Sequence, residues 1–230
     1  MIRLENLRKE YSGKEVLNIE KLEINSGQIL GLVGNNGAGK TTLFSLLLDI
    51  IKPTSGKVFS KDVDVAESEE WKRYTSAYLN DGFLVNFLTP EEYFEFVGGL
   101  YNMSPKDVSG FLESFSDFFA GEVLGVKKYI RDLSMGNRKK VGLVGSLIGN
   151  PEIIIWDEPF SNLDPSTQIR VRNIIKEYSQ NRTFLVSSHD LNHIAEVCKR
   201  ILILDHGKLV RDVENTEASK KELFEFFEVV

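Results

Sequence analysis

The chain has 230 residues, of which 42% are hydrophobic, and it carries a formal net charge of −6. The length suits one large domain or two small ones with a sizeable core. Its lysines and arginines are scattered and do not form the basic stripe that follows a phosphate backbone, so nucleic acid is not expected as the main partner. Cys198 is the single cysteine, which excludes an internal disulfide and fits a reducing cytosol.

The N-terminus, MIRLENLRKEY, alternates charged and apolar residues and lacks the pattern of a signal peptide. Apolar runs such as ILGLVG and IIIW fall far short of the roughly 18 residues that a membrane-spanning helix needs. We therefore expect a cytoplasmic chain that reaches the inner face of a membrane only through a partner.

The first 84 residues have the pattern of strands with one long helix. Alternating apolar residues over 2–24 predict two strands joined by a YSGK turn. QILGLVG is apolar on both faces, which is typical of a parallel strand covered by helices, and KTTLFSLLLDI predicts the helix that follows. KVFS and SAYL predict two short strands, with a helix near Trp71 between them.

Residues 85–150 predict helices rich in phenylalanine. Thr89 and Ser104 each precede a proline and, three positions on, an acidic residue, which is the pattern of a capping box with proline at the first helical position. Four phenylalanines are predicted to share one helical face and to pack in the core: Phe111, Phe115, Phe118 and Phe119.

The α/β pattern returns over 151–230. EIIIW and TFLVSS predict buried strands separated by a helix that Asp164 caps, and a further helix is expected after Leu191. RILIL and LV predict the last strands, and KELFEFFEVV predicts a C-terminal helix. Because no repeat or linker interrupts the chain, 85–150 is predicted to be a helical insertion into one α/β domain formed by 1–84 and 151–230.

GNNGAGKT, residues 34–41, matches the phosphate-loop pattern G-x-x-x-x-G-K-[ST] at a strand-to-helix junction. Inward-pointing N–H groups would hold phosphate oxygens, with the Lys40 charge on the β and γ phosphates and the Thr41 hydroxyl on Mg²⁺. The alternative, a glycine turn with an incidental lysine, is weakened by this context. The predicted nucleotide contacts here are Gly34, Asn35, Asn36, Gly37, Ala38, Gly39, Lys40, Thr41 and Thr42.

IIIWDEP predicts a strand that delivers Asp157 and Glu158 to the sheet edge where α/β proteins bind ligands. Asp157 suits Mg²⁺, directly or through water, and Glu158 suits the role of general base or water-orienting group. His189, in SSHDL at another strand end, is predicted to contact the γ phosphate. The alternatives are a solvated loop for the two acids and a structural role for His189, while His193 and His206 are predicted to be surface residues.

The motifs GNNGAGKTT, LSMGN, IIIWDEP, SNLD and SSHD, in that order, resemble the nucleotide-binding subunit of ABC transporters over essentially the whole chain, and the single-domain form is similar to bacterial export-type subunits. The resemblance implies an α/β fold, with a RecA-like P-loop NTPase core, an N-terminal antiparallel β subdomain and an inserted α-helical subdomain. It also implies ATP hydrolysis, bound ATP and Mg²⁺, and a head-to-tail dimer, either a homodimer or pseudo-symmetric, that powers a separate membrane permease.

Further site residues follow from the resemblance alone. Ser134 and Gly136, in the signature motif, would contact the γ phosphate of ATP held by the partner subunit, although DLSMGN by itself also suits an ordinary N-cap serine. Tyr11 matches the aromatic residue that stacks on adenine, for which a turn tyrosine is the alternative. Asp164 matches the loop that crosses the dimer interface.

Four residues depart from the family pattern, the first being Asn35, at a permissive position of the phosphate loop where the family commonly has proline. Met135 replaces the usual second glycine of the signature motif, and Asn137 replaces its glutamine. Asp81 stands where the family has the Q-loop glutamine, and its carboxylate could meet Mg²⁺ or a water. The segment GFLVNFLT after it is predicted to form an apolar patch that contacts the permease, made of Phe83, Leu84 and Phe87.

Two other functions remain open at this point. The chain could be an ABC ATPase that acts without a permease, on ribosomes, DNA or cofactor assembly, although it has one cassette and no long heptad-bearing insertion. It could also be a regulatory nucleotide binder that does not hydrolyse ATP, as Asp81 and Met135 suggest. The pair Glu158 and His189 argues against that second alternative.

Overall fold

The structure is a computed structural model that describes residues 1–229, and the side chains of 1–225. Val230, predicted to lie in the last helix, falls outside it. The ten strands of this part are β1 Ile2–Tyr11, β2 Lys14–Ile24, β3 Ile29–Val33, β4 Ser55–Ser60, β5 Val63–Asp64, β6 Thr75–Tyr78, β7 Ile153–Trp156, β8 Thr183–Ser188, β9 Arg200–Asp205 and β10 Lys208–Glu214. The eight α-helices are α1 Lys40–Leu47, α2 Pro90–Leu100, α3 Pro105–Glu113, α4 Ser116–Phe119, α5 Met135–Gly145, α6 Pro165–Tyr178, α7 Leu191–Val197 and α8 Glu217–Val229.

The strands form two sheets. One is antiparallel with the order β2-β1-β4-β5, and the other has six strands in the order β10-β9-β3-β8-β7-β6. In the second sheet β9, β3, β8, β7 and β6 run parallel, and only the edge strand β10 pairs antiparallel. The order places β3 beside β8 and β8 beside β7, so the loops that leave these three strands meet at one edge. The predicted α/β fold with an N-terminal antiparallel part is confirmed.

Helices α2 to α5 lie in the chain between β6 and β7, and they share a hydrophobic cluster with the larger sheet. Phe94 on α2 and Phe119 on α4 belong to the same cluster as Trp156 on β7. The indole of Trp156 also donates a 2.8 Å hydrogen bond to Ser146, just after α5. The helical segment is thus packed onto the sheet, while its predicted limits at 85 and 150 stay a prediction.

The phenylalanine stripe differs from its prediction in one respect. The four side chains do not share one helical face, because α3 ends at Glu113 and α4 begins at Ser116. The hydroxyl of Ser114 donates to the carbonyl oxygen of Phe111 at 2.7 Å, a local bond that competes with continuation of the helix. The core interpretation is confirmed, since Phe115 and its two successors in the stripe are buried.

The predicted helix starts and the predicted helix near Trp71 can be compared directly with the structure. Both predicted capping boxes form, at Thr89 and at Ser104, while the helix expected near Trp71 is a single 3-10 turn over Glu70–Arg73. Within residues 1–229, no helix has both the length and the apolar character that crossing a membrane requires.

Candidate active site

The loop between β3 and α1 passes close to the neighbouring strand β9. A Cβ on Gly34 would lie 2.3 Å from the carbonyl oxygen of Leu204, so only glycine fits there. Gly37 and Gly39 have φ angles of +84° and +107°, in the region that L side chains avoid. The sequence motif GNNGAGKT therefore curls as predicted, with Ala38 donating to the carbonyl oxygen of Asn35 at 3.1 Å.

Lys40 begins α1, and its side chain folds back over this loop. Its Nζ donates to the carbonyl oxygens of Gly34 at 2.6 Å and Asn35 at 3.3 Å. Oε1 of Glu158 lies 3.2 Å from the same ammonium, although it accepts no well-directed hydrogen bond. With 6% of the side chain exposed, the ammonium is held between the loop and Glu158.

Asp157 follows β7 and is buried against two hydroxyl groups. Thr41, from α1, donates to one carboxylate oxygen, and Ser187, from β8, donates to the other. Burial raises the pKa of Asp157, and the two hydroxyl donors oppose that rise. The carboxylate and the Thr41 hydroxyl form an oxygen donor pair of the kind that Mg²⁺ prefers.

Glu158 follows Asp157 and has an uncommon backbone conformation. Its φ is +48°, which is uncommon for a residue with a side chain. Its N–H donates to Oγ of Ser187 at 2.9 Å, and its Oε2 lies 2.8 Å from Nδ1 of His189. The sheet order thus brings together Glu158 and His189, which lie 31 positions apart in the chain.

Lys139 on α5 reaches the same place, and sequence reasoning missed it. Its Nζ donates to the carbonyl oxygen of Glu158 at 2.8 Å, and to the carbonyl oxygen and hydroxyl of Ser161 at 2.8 and 2.6 Å. Burial lowers the pKa of Lys139, and the charges of Asp81, Glu158 and Asp157 oppose this. The signal in the sequence is a lysine pair that directly precedes the apolar run VGLVG. Ser187, also missed, lies two positions before His189.

Asp81 lies in a short 3-10 turn after β6 and has both carboxylate oxygens bonded. Tyr78 donates to Oδ1 at 2.5 Å, and Nε of Arg138 donates to Oδ2 at 3.1 Å. Burial, and then the hydrogen bond to Asp81, raise the pKa of Tyr78. Asp81 thereby joins β6 to α5 through side chains.

Two neighbouring cavities gather most of the predicted site. One, of about 400 Å³, lies between the sheet edge and α5 and is lined by Thr41, Tyr78, Leu79, Asn80, Asp81, Gly82, Met135, Lys139, Asp157, Glu158, Ser161 and Asn162. The other, of about 240 Å³, lies on the phosphate loop and is lined by Val16, Asn36, Gly37, Gly39, Lys40, Thr41, Thr42 and Glu158. Glu158 and Thr41 line both, so the loop and the acidic strand end form one surface.

The signature motif begins α5 at the rim of the first cavity. Ser134 is the N-cap, and its hydroxyl accepts from the N–H of Asn137 at 3.2 Å. Ser134 and Met135 are exposed. A Cβ on Gly136 would lie 3.4 Å from the carbonyl oxygen of Asn162. The N-cap interpretation is therefore confirmed, and both Ser134 and Met135 lie at the surface.

Tyr11 and Asp164 lie away from the lining of both cavities. Tyr11 ends β1 with 48% of its surface exposed, and the ammonium of Lys9 lies 4.8 Å from its ring centre. Asp164 caps α6, accepting from the N–H of Thr167 at 3.0 Å. Hydrogen bonds from the hydroxyls of Ser166 and Thr167, and then from the backbone N–H groups of the same two residues, lower the pKa of Asp164.

Two predictions outside the site were wrong. Leu84 does not belong to an exposed apolar patch: it is 7% exposed and packs in the core, whereas Phe83 and Phe87 are 58% and 66% exposed. His193 is not a fully exposed surface residue: its side chain is 17% exposed, and its ring stacks on Phe160 with centroids 4.5 Å apart. His206 is exposed, as predicted.

The profile of the ABC transporter family matches residues 17–161. An uncharacterized ABC transporter ATP-binding protein of Methanocaldococcus jannaschii is 36% identical over 213 residues, covering 91% of this chain and 76% of that protein. A similarly named protein of Nostoc sp. is 34% identical over 215 residues, covering 89% of this chain and 64% of that protein. This chain therefore spans less than two thirds of the Nostoc relative.

A solved structure gives the same fold. The ATP-binding cassette MJ0796, described as a dimer in a post-hydrolysis state bound to ADP and Pi, superposes with a TM-score of 0.83 at 24% sequence identity, covering 94% of this chain and 99% of that one. The family profile matches more than half of the present sequence and includes both the phosphate loop and Glu158. The chain therefore belongs to the ABC transporter family.

Proposed function

We propose that the chain hydrolyses ATP at the surface formed by Lys40, Asp157 and Glu158, as half of a dimer that closes on ATP and powers a separate membrane permease. The observation that carries this proposal is the contact of Glu158 with both Lys40, at 3.2 Å, and His189, at 2.8 Å. A carboxylate between the phosphate-binding ammonium and an imidazole is placed to orient a water beside the γ phosphate.

The residues present fit ATP with Mg²⁺. Thr41 and Asp157 offer a hydroxyl and a carboxylate on one side of the phosphate loop, and Mg²⁺ is commonly held by one or two such oxygens together with phosphates. When bound, the ion neutralises charge on the phosphates. Lys40 would supply a positive charge to the phosphates, and the N–H groups of the loop would contribute further donors.

Phosphate oxygens and Glu158 compete for the same ammonium. Phosphate binding to Lys40 weakens the pairing of that ammonium with Oε1 of Glu158, which frees the carboxylate to accept a proton from the attacking water. His189 holds the other carboxylate oxygen through Nδ1, which fixes the direction in which Glu158 faces. In this scheme Glu158 is the base or water-orienting group, and His189 positions it and meets the γ phosphate.

The dimer supplies the remaining contacts. Ser134 and Gly136 at the start of α5 would face the γ phosphate held by the partner, because a helix N-terminus with an exposed N-cap serine can bind an anion. Asp164 would lie in the loop that crosses the interface, and Tyr11 would stack on adenine. Support comes from the exposure of Ser134 and Met135, and from the dimeric state of the MJ0796 cassette.

Two observations support a permease as partner: the name of a relative and an exposed aromatic surface on this chain. Among the relatives is a methionine import ATP-binding protein MetN of Carboxydothermus hydrogenoformans, which is 29% identical over 227 residues. Phe83 and Phe87 expose two large rings beside Asp81. We place the chain on the cytoplasmic face of the membrane, bound through that permease.

The test is the oligomeric state of Glu158→Gln by light scattering, with ATP and Mg²⁺ and then with ADP, alongside wild-type ATPase activity. We expect a dimer with ATP only, and ATPase activity reduced by a factor on the order of 10² or more relative to wild type. Glu152→Gln is the matched control, because Glu152 precedes β7 and pairs at the surface with Lys61. It should behave as wild type.

Other results would select the alternatives. A variant that binds ATP yet stays monomeric would contradict ATP-driven closure of the isolated chain. Wild-type protein that binds ATP without turnover would favour a regulatory nucleotide binder. Turnover and dimerisation without co-purification of a membrane protein from native membranes would favour an ATPase that acts without a permease.

A further inference from the structure

Lys139 is a buried cation whose contacts all lie on the catalytic side of the molecule. It is 6% exposed, and its ammonium donates to the backbone of Glu158 and to both the backbone and side chain of Ser161. No carboxylate of the described residues lies within ion-pair distance of Nζ. Burying an ammonium is costly unless its donors are satisfied, so these three hydrogen bonds decide where the side chain lies.

The peptide carbonyl that Lys139 holds belongs to the residue with the strained backbone. Glu158 has φ +48°, and such a conformation persists only where its surroundings enforce it. Ser187 accepts from the N–H of Glu158, and Lys139 donates to its C=O. The backbone of Glu158 is thus held at both ends by side chains from β8 and from α5.

We propose that Lys139 is a positioning residue for hydrolysis: it fixes the backbone of Glu158 and ties α5, the helix of the signature motif, to the catalytic loop of its own chain. The inference rests on the proposed function in one respect, that Glu158 acts on the attacking water. Lys139 itself does not need to touch ATP for this role.

The placement of α5 gives the tie a second consequence. Ser134 begins that helix five positions before Lys139 and is exposed, whereas Lys139 faces the inside of the same chain. In the proposed dimer, one helix would thus carry both the contact with the partner's ATP and the hydrogen bond to the backbone of Glu158.

Lys140 provides a matched control on the same helix. It is 5% exposed, close to the 6% of Lys139, but its ammonium pairs with Glu122 at 3.2 Å, away from the catalytic loop. Lys140→Met and Lys139→Met therefore remove the same group from the same degree of burial. They differ in the acceptors that lose a donor: Glu158 and Ser161 for Lys139→Met, and the carboxylate of Glu122 for Lys140→Met.

The kinetic test compares Lys139→Met, Lys139→Gln and Lys140→Met. For Lys139→Met we expect kcat to fall about 10- to 100-fold with KM for ATP within about twofold of wild type, because misplacement of a catalytic group acts on the chemical step. Lys139→Gln keeps an N–H donor and should recover part of the loss, while Lys140→Met should retain wild-type kcat.

A second readout does not depend on turnover. His189 contacts Glu158, and the chain has only three histidines, so the imidazole signals are readily assigned by NMR. A displaced Glu158 should shift the His189 signals in Lys139→Met and leave them unchanged in Lys140→Met. If the wild-type protein proved inactive, the proposed function would fail while this test of Lys139 would still stand.

Three outcomes would overturn the proposal. One is an equal kcat for Lys139→Met and Lys140→Met. Another is a rise in KM with kcat unchanged, which would make Lys139 a binding residue. The third is His189 signals that do not respond to Lys139→Met or Lys139→Gln. If Lys139→Met fails to fold, the kcat and the His189 signals of Lys139→Gln provide the test.

Discussion

Removing the Asp81 carboxylate should destabilise the fold chiefly through Tyr78. The phenol is 4% exposed and donates to Oδ1 of Asp81, so Asp81→Ala leaves a buried donor unpaired at a cost of about 1–3 kcal/mol. The ion pair with Arg138 adds little, since both side chains are 28–29% exposed and such pairs contribute about 0–1 kcal/mol. Asp81→Asn keeps an acceptor and should cost only about 1 kcal/mol or less.

Urea unfolding followed by circular dichroism measures these costs, with the m value checked for constancy. The decisive comparison repeats Asp81→Ala in a Tyr78→Phe background, where no phenol is left to be orphaned. We expect the cost of Asp81→Ala to shrink there to that of the ion pair, about 0–1 kcal/mol. Equal costs in both backgrounds would refute the reasoning.

The same variants test the other role predicted for Asp81, that of a Mg²⁺ ligand. Both of its oxygens are bonded to protein donors, so Asp81→Asn should leave the Mg²⁺ concentration for half-maximal ATPase activity unchanged within about twofold, whereas loss of a ligand or of its outer-shell support typically costs 10- to 100-fold in metal affinity. A tenfold increase would place Asp81 on the metal or in its outer shell.

Two further predictions concern packing. A Cβ on Gly142 would lie 2.3 Å from the ring of Tyr78, whereas a Cβ on the exposed Gly110 would meet nothing within 4 Å. Urea unfolding should therefore show Gly142→Ala destabilised by about 1–3 kcal/mol and Gly110→Ala stabilised by about 0.5–1 kcal/mol. The opposite order would contradict the packing of α5 on β6. Cys198 is 3% exposed, and burial raises the pKa of its thiol, so it should react with a thiol reagent only over the unfolding transition seen by circular dichroism; rapid reaction in native buffer would contradict its burial.

Features that depend on near neighbours in the chain were predictable. The phosphate loop needs its glycines within a few positions, and the capping box at Thr89 involves Glu92, with bonds of 2.8 and 3.3 Å. Contacts between residues a few positions apart appear in the sequence as a fixed spacing of particular residue types. The same holds for Asp157 and Glu158, which a buried strand delivers together to one sheet edge.

Burial of single side chains in the Q-loop segment was less predictable. Leu84 and Phe87 are both large and apolar, yet one is buried and the other exposed. The difference is set by α5: a Cβ on Gly142 would lie 3.4 Å from a methyl group of Leu84, which shows how closely the helix approaches there. No local period records that approach, because Gly142 is 58 positions further along the chain.

The hydrogen-bond partners of Lys139 likewise lie far from it in the chain. On an amphipathic helix, a lysine on the apolar face stands out because the other face is polar. Helix α5 is buried on all sides from Lys139 to Gly145, so it offers no such contrast. In such a helix a lysine must find acceptors among the elements packed around it. Its partners are set by the position of Glu158, 19 residues away, and hence by the strand order β3-β8-β7. Two adjacent lysines before an apolar run are therefore a cue to look for buried acceptors, even where the sequence cannot name them.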